Sequence, residues 1–192
     1  MVPLIVTLTH LLAAVTLASP INPPSLTQDL TTSLLTRRDG PTYTYTAVTN
    51  AAANAGVTLR DGEWHYLRLC TPLEGQIPED DVQRETGCKH FYLVVGKVII
   101  KNGLFSGNKR DFQGSVYHVR NDEDDGKWYW KSHAYEAYGY QDILYGGRTT
   151  STKASSSRLD ALSTAWVEKW GTYCDQNEAR CFGYYHYMAS LL

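Results

Sequence analysis

The chain has 192 residues, 43% of them hydrophobic and 12% aromatic, with a formal charge of −2. That length can bury one core, and a near-neutral charge without a basic run excludes the electrostatic footprint of a nucleic-acid binder. The one long apolar stretch stands at the N-terminus, so no stable membrane insertion is expected of the rest of the chain.

Residues 1–19 read as a secretory signal peptide. Pro3 to Ala18 is apolar and ends in Leu17-Ala18-Ser19, although no Lys or Arg precedes it. Residues 20–38 are rich in Pro, Ser and Thr, lack aromatics, and end in Arg37-Arg38, a dibasic pair of the kind fungal secretory proteases cut. They read as a propeptide. Residues 39–192 are then expected to form a single globular domain of 154 residues, with a charge of −3 once Asp29, Arg37 and Arg38 are removed. The expected location is outside the cell, in an oxidising compartment. Four cysteines remain, Cys70, Cys88, Cys174 and Cys181, and they allow three pairings. None has Cys-x-x-Cys spacing, so no metal site is expected.

The Ala-rich stretch from Tyr43 to Leu59, with Gly56 near its end, predicts a short helix. Trp64 to Cys70 reads as a strand and Thr71 to Gly87 as a polar loop. Cys70 and Cys88 flank that loop and each adjoins a strand, so they are expected to pair. His90 to Ile100 is the strongest strand signal, β-branched and aromatic, with a bend expected at Gly96. Gly114 to Val119, Lys127 to His133 and Tyr140 to Tyr145 are further strands, and Gly146-Gly147 reads as a turn. Asn121 to Gly126 has part of the spacing of a calcium loop, but position 12 would be Ser132 and no helices flank it; a solvated hairpin turn is expected instead. Trp128, Trp130, Tyr135, Tyr138 and Tyr140 form an aromatic cluster. Packing is its expected role, with a sugar- or protein-binding surface as the alternative.

Ser157-Arg158-Leu159-Asp160 reads as a capping box with Asp in place of Glu. Leu159, Leu162, Trp166 and Trp170 come next as an apolar stripe on a helix that Gly171 ends. Phe182, Tyr185, Met188 and Leu192 make a second stripe over roughly 178–192. The fold class is therefore α+β: a mostly antiparallel sheet first, with C-terminal helices after it.

Three residues in this order carry candidate chemistry. Cys181 would stand in the first turn of the last helix, where unpaired N–H groups and the macrodipole favour a thiolate, with Arg180 beside it. His90 would stand near the start of the central strand as a general base. His118, on the next strand, would orient His90 through its far nitrogen. Each has a structural alternative: a Cys174–Cys181 bridge closing a small polar loop, and two strand histidines touching water or core. His65, His133 and His186 show no metal-ligand spacing.

The segments His90-Phe91, Gly114-Ser115-Val116-Tyr117-His118-Val119 and Cys181-Phe182 resemble the permuted papain-like fold of the NlpC/P60 superfamily, in its lecithin:retinol acyltransferase-like group. The resemblance spans about residues 88–192. Ala179-Arg180 stands where that group has an Asn-rich lead into the Cys. The resemblance implies catalytic Cys181, His90 and His118, with attack on an amide or ester and no cofactor or metal. The target would be a peptide, a lipid or a host protein. The reading from a different class is a non-catalytic, disulfide-stabilised secreted effector or toxin that binds a host or competitor molecule.

Overall fold

A computed structural model describes residues 41–192 apart from 79, 104–106, 122–123, 125, 140 and 171–178. The expected signal peptide and propeptide, Cys174 and Tyr140 lie outside the described residues.

Among the described residues, nine elements run in order: α1 (Tyr43–Asn54), β1 (Trp64–Pro72), α2 (Asp81–Thr86), β2 (Cys88–Gly103), β3 (Gly107–Asn121), β4 (Trp128–Ala134), β5 (Asp142–Thr149), α3 (Ser156–Trp170) and α4 (Ala179–Ser190). The strands form one antiparallel sheet in the order β4-β3-β2-β1-β5. The fold is therefore mixed, an antiparallel sheet with helices. No helix among the described residues is long and apolar enough to cross a membrane.

Period-two alternation divides the core between the two faces of the sheet. Phe91, Leu93, Val95, Tyr117 and Val119 pack with Leu159, Trp166, Tyr184 and Met188 of α3 and α4. Leu67, Leu69, Val94, Val98, Phe112 and Val116 pack on the other face with Val48 and Ala52 of α1. Thr42 caps α1 by accepting from the Tyr45 N–H at 3.1 Å, and its hydroxyl donates to buried Asp111 at 2.5 Å. Between α3 and α4, the buried hydroxyls of Ser163 and Tyr184 lie 2.7 Å apart, and Ser163 donates to the Leu159 carbonyl, also at 2.7 Å. These helices thus carry a satisfied polar pair inside an apolar layer.

Several local expectations are corrected. The loop after β1 contains α2, because Asp80 caps it by accepting from the Gln83 N–H at 2.7 Å and Gly87 ends it with φ of +68°. Gly96 makes no bulge: it pairs with Gly114 inside a continuous ladder. A Cβ there would sit 2.5 Å from the Gln113 carbonyl oxygen and 2.7 Å from the Phe112 ring, so glycine gives that ring its room. Gly146-Gly147 is no turn but part of β5. Tyr66 pairs with Gly147 and Leu67 with Tyr145, leaving Gly146 as the extra residue of a bulge, with the Tyr66 ring lying over both glycines. α3 starts at Ser156, so Ser157 lies inside the first turn rather than capping it. Trp170 ends the stripe half-exposed. The aromatic cluster is divided: Trp128 packs toward α3 and α4, Tyr135 toward α1, and Tyr138 is exposed.

Candidate active site

The site forms where the central ladder gives out. The β2–β3 rungs run from Gly103↔Gly107 to Leu93↔Tyr117 and stop, although β2 extends back to Cys88 and β3 on to Asn121. His90 and His118 stand beyond the last rung. They alternate with Phe91 and Val119, whose side chains join the α4 layer. On the other edge of β2, Thr71 pairs with His90 but Pro72 with Cys88, so Lys89 is an extra residue at a register shift. A bulge of this kind re-aims the neighbouring side chain. Cys70 and Cys88 are bonded to each other, which ties β1 to β2 just before His90.

Cys181 lies in the first turn of α4 and is buried. It shares one helix face with Tyr184, Tyr185 and Met188, so the packing that buries the helix also aims the Sγ at the sheet. That Sγ lies 3.2 Å from His90 Nδ1 and 3.6 Å from the Val119 carbonyl oxygen. His90 Nε2 lies in turn 3.2 Å from His118 Nδ1. The three residues singled out in the sequence therefore form a line, sulfur to imidazole to imidazole. The side chain of Arg180 lies outside the described residues.

The protonation pattern comes from this geometry. Burial, then the nearby His118, pushes His90 down to about 3. Burial, then His133, Lys131 and Arg120, pushes His118 down to about 4. Both rings are then neutral at pH 7, each with one N–H and one lone pair. A thiol donating to His90 Nδ1 leaves the ring proton on Nε2, which donates to His118 Nδ1, and His118 keeps its own proton on Nε2. In this tautomer the single S–H goes to His90 and not to the Val119 carbonyl.

Other residues at the site were not singled out from the sequence. The Tyr92 ring packs 4.4 Å from that of His90 and 5.0 Å from that of His118 and holds both from one side. Its place two residues after His90 on a strand was the available signal. His133 lies 6.0 Å from His118, ring to ring. His65 belongs elsewhere: it is fully buried, with Nδ1 3.0 Å from the Tyr145 hydroxyl. His186 packs 4.2 Å from the Phe182 ring. No cluster of metal-ligating side chains occurs among the described residues. Two cavities of about 490 Å³ each, one lined by Trp64, Ser115 and Ser155 and the other by Thr42, Asp111 and Tyr135, do not include the three site residues.

No family model, curated protein or solved structure matches this chain.

Proposed function

We propose that this chain is a secreted thiol hydrolase or acyltransferase, acting on an amide or ester, with a permuted papain-like arrangement. The observation that carries the reading is the continuous line Cys181 Sγ–His90 Nδ1 and His90 Nε2–His118 Nδ1, each step 3.2 Å. A nucleophile, a base in contact with it and a group orienting the base are what covalent acyl transfer requires. The base precedes the nucleophile in the chain, which supports the permuted order.

His90 takes the thiol proton on Nδ1 as the sulfur attacks the acyl carbon. A C–S bond forms and the carbonyl oxygen gains the electron pair. The first N–H groups of α4 have no partner within their helix and can receive that oxyanion. Collapse restores the carbonyl and expels the amine or alcohol, which takes the proton from His90. A thioester remains on Cys181. Water or a second acceptor, deprotonated by His90, releases the acyl group. His118 accepts from Nε2 throughout and so holds the imidazole in the tautomer that can accept at Nδ1.

Turnover by the mature protein on a panel of peptide amides, lipid esters and protein amides tests this. Cys181→Ala should abolish turnover with the fold retained by circular dichroism. His118→Ala should cost less than His90→Ala. Full activity of Cys181→Ala would defeat the proposal and leave the binding effector.

A further inference from the structure

Beside this site stands a cation with no counter-charge among the described residues. Arg68 lies on β1, paired across the sheet with Leu93 on one side and Leu144 on the other. Its guanidinium sits 5.7 Å from the centre of the Phe91 ring, next in the chain to His90. Among the described residues its Nε, sealed from solvent, donates to no partner, and the guanidinium forms no ion pair with a carboxylate. A desolvated donor left unmatched is costly, and such groups in native proteins call for an explanation.

The surroundings supply one. The Phe91 ring packs 5.0 Å from that of Phe182, the residue after Cys181. Tyr185, one turn further along α4, is close enough for the Arg68 charge to oppose the rise that burial imposes on its phenol. Cys181 and Tyr185 are four residues apart on one helix face, about 6 Å along the axis. Leu144, opposite Arg68 on edge strand β5, is 47% exposed, so the helical layer does not cover the outer edge of this face. Arg68 thus lies on a largely apolar shelf between the exposed Leu144 at the β5 edge and the buried Phe91 ring and thiol.

We infer that Arg68 binds a carboxylate of the substrate on the Phe91–Phe182 shelf and selects acyl substrates that carry this charge about one helical turn from the scissile bond. This rests on Cys181 being the nucleophile proposed above. A single guanidinium balances a single negative charge and its planar fork fits a carboxylate, whereas a dianionic phosphate calls for a second cation.

Two maleimides with the same reactive head test it without requiring turnover: N-(2-carboxyethyl)maleimide and neutral N-propylmaleimide. The ratio of their labelling rates at Cys181 is measured by peptide mapping in the wild type, Arg68→Gln and Arg68→Lys, each checked by thermal melting, and compared with the ratio for free cysteine. The wild type should favour the carboxylate by about fivefold over free cysteine, a magnitude suited to a partly exposed pair. Arg68→Gln should return the ratio to that of free cysteine while the neutral probe reacts as before, and Arg68→Lys should retain part of the preference. Equal ratios in the wild type and Arg68→Gln would overturn the role of Arg68 and leave the thiol site standing. Absence of labelling at Cys181 by either probe would remove both.

Discussion

Acid should weaken this fold through its two site histidines, and the size of the effect is set by their environment. His90 is held at about 3 and His118 at about 4, while in the unfolded chain each returns to 6.5. Below pH 6.5 the unfolded chain binds protons that the folded chain refuses. The contribution is therefore complete above 6.5 and is lost as pH falls toward 4 and then 3. Each pH unit in that window removes about 1.4 kcal/mol per histidine. Between pH 6.5 and 4.5 the pair should cost about 5 kcal/mol, a large share of an ordinary domain's stability. Urea unfolding at pH 7.0 and 4.5 measures it, with His90→Asn/His118→Asn as the reference, since carboxylates and His65 titrate alike in both proteins. The wild type should lose about 4–6 kcal/mol more than the double variant. An equal loss, or a wild type that gains relative to the variant in acid, would refute the reasoning. It would mean that the folded protein already carries a charged His90, as in a resting thiolate–imidazolium pair.

The remaining expectations concern the same region and the ladder that frames it. Activity, measured where the protein stays folded, should show no acidic limb near pH 6.5, because the base stays neutral down to about 3 and His118 down to about 4. Replacing the Cys70–Cys88 bridge, which spans 18 residues, with two serines should cost about 3 kcal/mol and lower the Tm by about 6–12 °C in differential scanning calorimetry. Gly96→Ala should destabilise by about 1–3 kcal/mol in urea, since the added methyl meets the Gln113 carbonyl and the Phe112 ring, and Gly183→Ala, in helix α4 with open space around it, should show no such cost.

Much of this architecture is legible in the chain because its signals are local. The β-branched run after His90, the Ala-rich stretch before Gly56 and the Leu159–Trp166 stripe each state their own element. The site is legible for a related reason: a His at a strand opening, a His inside a strand and a Cys at a helix start are chemically distinctive even before they meet. What stays hidden depends on partners far along the chain. Gly96 and Gly146 look like bend and turn residues alone. Their reason is the Phe112 and Tyr66 rings that cross them, a contact set by strand register. α2 is six residues with almost no apolar periodicity, held by the caps of Asp80 and Gly87. Arg68 and Tyr92 carry no motif. Each matters only because pairing places it beside Phe91 or between two histidines.

The central claim is that Cys181 is a thiol activated by His90. The direct measurement is peptide mapping of the protein, unreduced and labelled with iodoacetamide across pH 5 to 9, beside His90→Asn. The account predicts Cys70 bonded to Cys88, Cys181 recovered as a labelled thiol, and its labelling slowed in His90→Asn, which lacks the base that takes the thiol proton. Recovery of Cys181 in a disulfide with Cys174, or labelling at the same rate in His90→Asn, would contradict it.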